Sequence, residues 1–441
     1  MRLLLTLFTY LVLMLPVLTW SSVVPKFRDN RIDINDLAQM ASNKHLIIFH
    51  PSQKLSLSVG KGRKSTFDVR FVTAMTVIDE PVYQVREVVT DFSHYHEFMP
   101  QNEKSTVISK SKNQVIQELK LSLKVPLIPI SFKLTLDYFL APDGDITWSR
   151  IKGDIKGNVG RFEFFELSPN RTLLVLTYWT ELQGAGLLIR LLLRLQPDME
   201  LAIPISSCSL LIEAIKNRCE LISHQKPADP KTLPSKPVIP MMTKSQLPID
   251  TLQLLSRIGT LVFVHPIQWI RSEKNKPIDV RFVTSAARIQ GPQKALKPLM
   301  TDFSRYPEFM SQVVYARQEQ TANGMQVDWR LKFGFAMFRF NLNFLLDYAW
   351  HDDTILLYRC KSGNIKRSYG CWEWLSLSDN QTMIFFSAAI PYDRKVPFIL
   401  KFTQIVPNSQ VVMGASSTVV TIEKVIPWVE DQVLEVMHLY R

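Results

Sequence analysis

From Val115 to Lys124 apolar and polar positions alternate: Val115, Leu119, Leu121 and Leu123 against Glu118, Lys120, Ser122 and Lys124. Ile130, Phe132, Leu134, Leu136 and Tyr138 alternate in the same way with Ser131, Lys133, Thr135 and Asp137. A period of two this regular predicts antiparallel strands with one dry and one wet face. Val327, Trp329, Leu331 and Phe333, then Phe338, Phe340, Leu342 and Phe344, set out the same pair again. Ahead of the first pair the sequence predicts a short strand, "FDVRFVTAMTVI", and a helix with Pro81 at an early position, where a missing N–H costs nothing. In the second edition of that helix Pro298 is expected to shorten or kink it. After the strands, Ile205, Cys208, Leu211, Ile212, Ile215, Cys219 and Ile222 share one stripe at helical spacing. The dry face needs a cover, and this helix is the long amphipathic candidate for it. The pattern therefore predicts an α+β unit, written twice.

The duplication is also legible in the letters. "TDFSHYHEFMP" at 90–100 returns as "TDFSRYPEFMS" at 301–311, and "DVRFVT" at 68–73 returns unchanged at 279–284. Gly160 with Glu163 answers Gly370 with Glu373, and "ISSCSLLIE" at 205–213 answers "ASSTVVTIE" at 415–423. Upstream, "IIFHPSQ" at 47–53 answers "VFVHPIQ" at 262–268. A repeat of roughly 200 residues is a duplicated domain, far longer than a solenoid unit. The proline-rich stretch between the copies reads as an extended spacer. The expected division is a leader at 1–22, one domain at 23–225, a linker at 226–246 and a second domain at 247–441. Within the twice-written corner, Asp91 or Ser93 is expected to cap the short helix that follows, and Phe92, Phe98 and Met99 to anchor it on the sheet. Acid–base use of Asp91 and Glu97, or of Asp302 and Glu308, is the weaker reading.

Composition narrows the partners. The net charge of +12 spreads over the chain without a basic run interleaved with aromatics, so nucleic acid is not an expected partner, whereas an anionic membrane surface is. "MRLLLTLFTYLVLMLPVLTWSS" reads as a signal peptide, placing the protein in the periplasm or outside the cell; the alternative is an uncleaved membrane anchor. His94 and His96 become Arg305 and Pro307 in the second copy, so no metal site is expected from them. Cys360 and Cys371 stand in "YRCKSGNIKRSYGCWEW"; a hairpin centred between Ile365 and Lys366 would set them opposite each other, and a disulfide is expected. Two buried free thiols are the alternative.

A strand, a helix ending in D-F-x-x-Y-x-E-F-M-P, an antiparallel sheet and a closing helix resemble the START-like helix-grip superfamily. "ITWSRIKGDIKGNVGRFEFFEL" followed by "NRTLLVLTYW" is similar to its branch of coenzyme Q-binding proteins and polyketide cyclase/dehydrase-like domains. The resemblance spans roughly 66–222 and 277–440. It implies two helix-grip domains, each a curved antiparallel sheet wrapped around a long C-terminal helix, with an apolar cavity between them. Some members bind lipids or quinones, and a few shape polyketides.

On that basis the expected ligand-lining residues are Tyr95, Phe98, Met99, Leu119, Leu121, Phe132 and Leu134 in the first copy. In the second they are Tyr306, Phe309, Met310, Trp329, Leu331, Phe338 and Phe340. "AGLLIRLLLRLQPDMEL" lies where family members have a lid; Leu188 and Leu192, with Arg190 and Arg194, are the candidate membrane contacts. A buried connecting helix is the alternative for that segment. The expected function is non-enzymatic binding or carriage of a lipid or quinone, without a cofactor. A polyketide cyclase or dehydratase is the rival, and a membrane-tethered interaction protein with filled cavities is the third possibility. The aromatic dry face of the second copy predicts the smaller pocket there.

Overall fold

"HLIIF" has no polar alternation, and every residue of the strand it forms, His45–Phe49, is buried. A strand of this kind is covered on both faces and has a neighbour on each side. In the computed structural model, which describes residues 23–60, 63–125, 128–184, 186, 190, 193–194, 198–222, 229–322, 324–335, 338–391 and 409–439, this strand lies at the centre of the molecule.

The strands of the first copy are β1 (His45–Phe49), β2 (Gln53–Gly60), β3 (Arg63–Val69), β4 (Val72–Ile78), β5 (Asn102–Lys110), β6 (Gln114–Val125), β7 (Ile128–Leu140), β8 (Ile146–Gly153), β9 (Asn158–Ser168) and β10 (Arg171–Thr180). The second copy supplies β11 (Thr260–Val264), β12 (Gln268–Arg271), β13 (Pro277–Val280), β14 (Val283–Gln290), β15 (Val313–Thr321), β16 (Gly324–Phe335), β17 (Phe338–Asp352), β18 (Ile355–Gly363), β19 (Tyr369–Ser378) and β20 (Gln381–Ala389). The helices are α1 (Ile34–Ala41), α2 (Val82–Thr90), α3 (Tyr95–Phe98), α4 (Met199–Cys219), α5 (Ile249–Ile258), α6 (Gln293–Thr301) and α7 (Ser409–Leu439).

Both copies order their strands alike, 1-4-10-9-8-7-6-5 and 11-14-20-19-18-17-16-15, and they join through β1 and β11 into one antiparallel sheet of 16 strands. Ile47 faces Val262 at the middle of that seam, with His45 opposite Val264 and Phe49 opposite Thr260. Equivalent residues thus meet about a pseudo-two-fold axis. On the concave side α4 closes the first copy: Ile205, Cys208, Ile212 and Ile215 are fully buried against it. Helix α7 does the same for the second with Ile422, Val425 and Val429. The two long helices also pack against each other. On the convex side α1 and α5 cover the seam with Leu37, Met40, Leu252 and Leu255.

Two details depart from expectation. Helix α6 runs through Pro298 at nine residues, the same length as α2, so the proline does not shorten it. The stretch read as a spacer is partly built into the second copy. The backbone N–H groups of Met242 and Thr243 donate to the Glu373 carboxylate, both at 2.8 Å. Upstream of the first copy, Phe27 and Arg28 donate likewise to Glu163, at 2.6 and 3.0 Å. The repeated Gly–Glu pair now has a cause. Glu163 and Glu373 hold the leading turn of each copy. Gly160 and Gly370 lie beneath aromatic rings: a Cβ at Gly160 would sit 2.0 Å from Trp148, and one at Gly370 2.5 Å from Tyr358.

The seam carries two matched ion pairs. Arg281 Nη1 reaches both carboxylate oxygens of Glu213, at 2.9 and 2.8 Å, and its Nε donates to the His265 carbonyl. Arg70 reaches Glu423 at 2.7 Å, and its Nε donates to the His50 carbonyl. Each arginine comes from one copy and each glutamate from the long helix of the other.

Candidate functional site

The recurrent corner is held by its tyrosine. Tyr95 Oη donates to the Val89 carbonyl at 2.5 Å, and Tyr306 Oη donates to the Met300 carbonyl at 2.9 Å. Each phenol ties the short helical turn back to the preceding helix. Phe92 packs on Tyr138 with ring centroids 4.4 Å apart, and Phe303 stacks on Tyr348 at 4.5 Å. The expected side-chain cap is not there. Asp91 instead binds the His94 ring, Oδ1 to Nδ1, at 2.6 Å, and its carbonyl accepts from the His94 N–H. Three-residue spacing brings the His94 ring, not a free amide, onto the carboxylate.

Behind this corner lies the concave face. Tyr95, Met99, Leu119, Phe132 and Leu134 are buried in one apolar cluster, with Phe98 and Leu121 partly buried against it. In the second copy Tyr306, Met310 and Trp329 are buried, and Phe309 and Leu331 pack at the margin. Phe338 and Phe340 belong to β17, but their side chains lie outside the described residues. Leu188 and Leu192 also lie outside them, while Arg190 and Arg194 are exposed. Among the described residues, no helix is long and apolar enough to cross a membrane, and no group of three potential metal ligands gathers.

A buried glutamine stands within the apolar interior of the first copy. Gln117 stands on β6 between Val115 and Leu119, opposite Leu136 of β7, and is fully buried. Its Nε2 donates to the Phe92 carbonyl and to Ser105 Oγ, both at 2.8 Å. Both N–H bonds are thereby used, while Oε1 is buried without a partner. Val327 takes its place in the second copy. The sequence signal was present, a glutamine breaking the period-two apolar run, but the alternation drew attention only to the residues that obeyed it. Burial raises the phenols of Tyr95, Tyr138 and Tyr178 above the usual tyrosine range. These groups therefore stay protonated near neutral pH.

A cleft of about 320 Å³ opens between the corner and α4, lined by Phe98, Pro100, Leu210, Ala214, Arg218 and Ile222 among others. Glu213 also borders it, tied to Arg281 of the other copy. Phe98 and Ala214 of its lining pack against the buried interior, so the cleft abuts the core of the helix grip.

The two cysteines of the second copy are not bridged, which corrects the expected disulfide. The hairpin pairs Arg359 with Tyr369 and Leu357 with Cys371, so its centre falls near Asn364. Cys360 is consequently out of register with Cys371 and points to the opposite face. Cys360 packs at the edge of the concave cluster, whereas Cys371 lies under Pro240.

No curated protein matches the sequence. Solved structures give distant likenesses. A START superfamily protein from Mycobacterium smegmatis is 16% identical over 35% of this chain and 99% of its own, with a TM-score of 0.29. Human StAR-related lipid transfer protein 5 is 15% identical over 38% of this chain and 86% of its own, with a TM-score of 0.28. The di-domain ARO/CYC protein BexL is 12% identical over 82% of this chain and 98% of its own, with a TM-score of 0.27. None of these likenesses is close enough to bear on function. Residues 78–201 match the family model described as polyketide cyclase / dehydrase and lipid transport, and in fold each copy is a helix grip, an antiparallel sheet closed by a long helix.

Proposed function

We propose that the protein binds and carries a hydrophobic small molecule, a lipid or a quinol-type isoprenoid, in the interior of a helix-grip domain. The observation that carries this reading is the apolar concave face of the first copy, bordered by an open cleft and holding the buried Gln117. Affinity in such a site comes from desolvation, and orientation from a few placed hydrogen bonds. Gln117 Oε1 can only accept a hydrogen bond, so it favours a ligand with a hydroxyl over an oxidised quinone, which carries only acceptors. General acid–base catalysis near neutral pH wants a group that titrates there. The buried phenols of this interior are pushed the other way, which favours a carrier over a cyclase. The protein is proposed to act outside the cytoplasm, delivered or tethered by residues 1–22, with Arg190 and Arg194 meeting anionic lipid.

The test is organic extraction of the purified protein followed by mass spectrometry, with binding assays on the extracted compound. A co-purifying hydroxylated lipid, bound several-fold more weakly by Gln117→Leu, is the expected result. Absence of any extractable hydrophobic compound, together with failure to take up added fatty alcohols or quinols, would overturn the proposal.

A further inference from the structure

The two copies treat the same doorway differently. Helical positions 218 and 428 are equivalent, set by the matched stretches at 205–213 and 415–423. In the first copy position 218 is an exposed arginine, whose guanidinium lies 5.4 Å above the Phe98 ring and 3.3 Å from Glu97. An exposed side chain at the rim keeps its charged head in water and leaves the cleft open. In the second copy the position is Trp428, stacked on Phe309 with ring centroids 4.6 Å apart and planes at 25°. The Arg305 guanidinium also lies over that indole, 4.6 Å from its centroid, and is itself held by Glu308 at 2.9 Å. The second doorway is thus occupied by an indole packed against both a phenyl ring and a guanidinium. Behind the stack the interior also holds more ring volume, with Trp329 where the first copy has Leu119.

We infer that the first copy alone takes up ligand from solvent, and that the residue at position 218 or 428 decides whether a helix grip is open. Trp428 is a plug, and the second copy serves as the scaffold on which the first is built. This inference rests on the carrier reading above and specifies where that activity resides.

Titration with N-phenyl-1-naphthylamine, a neutral apolar fluorophore, reads the number of sites per chain. The wild-type chain is expected to take up one equivalent. Trp428→Ala should raise this to two, and Arg218→Trp should weaken uptake at least tenfold in affinity. Trp428→Leu provides a second plug variant if the alanine chain melts early. Two sites in the wild type, or one site in both well-folded Trp428 variants, would overturn the inference and leave the carrier reading standing. Uptake of no probe by the wild type would instead remove the carrier reading, and this inference with it.

Discussion

Replacing Glu213 by leucine isolates the value of the buried seam. The Glu213 and Arg281 side chains are 8% and 5% exposed, whereas Glu423 and Arg70 of the matched pair are 20% and 27% exposed. Removing one partner of a buried pair strands the other charge at a cost of about 3–5 kcal/mol. The more solvated pair should be worth about 1 kcal/mol. Unfolding entropy near 2.1 cal/mol/K per residue makes 1 kcal/mol about 1 °C for a chain of this length. Glu213→Leu should therefore lower Tm by about 3–5 °C, and Glu423→Leu by about 1 °C. The double change Glu213→Leu with Arg281→Met should recover most of the loss, because no charge is then left buried. Differential scanning calorimetry at pH 7 is the assay. Equal losses from the two glutamate variants would refute the reasoning, as would a double variant no better than Glu213→Leu alone.

The seam histidines should make the fold acid-labile. Burial, first, and nearby positive charge hold His50 at about 4 and His265 at about 3, below the ordinary 6.5. Their contribution is complete above pH 6.5 and is lost as pH falls from there towards 4 and 3, each pH unit crossed costing about 1.4 kcal/mol per histidine. His50→Asn with His265→Asn should flatten urea midpoints across that range; an unchanged slope would show that the rings do not set it. Glu163 and Glu373 act in the opposite sense, since burial raises both above 4.5. Stability from them is greatest below pH 4.5 and declines as pH rises through the raised values, so the wild type should lose ground to Glu163→Gln on going from pH 4 to 7. Gly160→Ala would drive a methyl into Trp148 and should cost about 1–3 kcal/mol, with Trp148→Leu relieving part of it; urea midpoints of the three chains decide.

The sequence made the architecture readable where periodicity and repetition act together. Alternation in β6 and β7, the stripe of Ile205, Cys208, Ile212 and Ile215, and the matched stretches led to two helix grips. What it did not show was how the copies meet. "HLIIF" and "TLVFV" are short apolar runs, and such runs do not announce which strand will pair with them. The Arg–Glu pairs join residues far apart in sequence, and charged letters look solvated until a partner is placed beside them. At the candidate site, the corner's aromatic anchors were legible because hydrophobic letters say where they go. Asp91 was misread as a cap, since an acidic residue before a turn satisfies several hydrogen-bond schemes equally well. The cysteine pairing failed through a shift of hairpin centre, and in a strand a shift in register exchanges the faces.

The seam has a consequence for how such a molecule can change. In a homodimer built on β1 meeting its own copy, one gene would write both halves of the interface and both pockets. Any substitution would appear twice, and filling one pocket would fill the other. Joining the halves in a single polypeptide removes that constraint. The strand register, the exchanged Arg–Glu pairs and the carboxylates that hold each leading turn remain paired across the axis, because both halves still need them. Position 428 is free to become tryptophan while position 218 stays arginine, and the same freedom lets Gln117 face a valine at its counterpart. Covalent linkage also fixes the stoichiometry, so the half kept for binding is never without the half kept for support, however dilute the protein becomes.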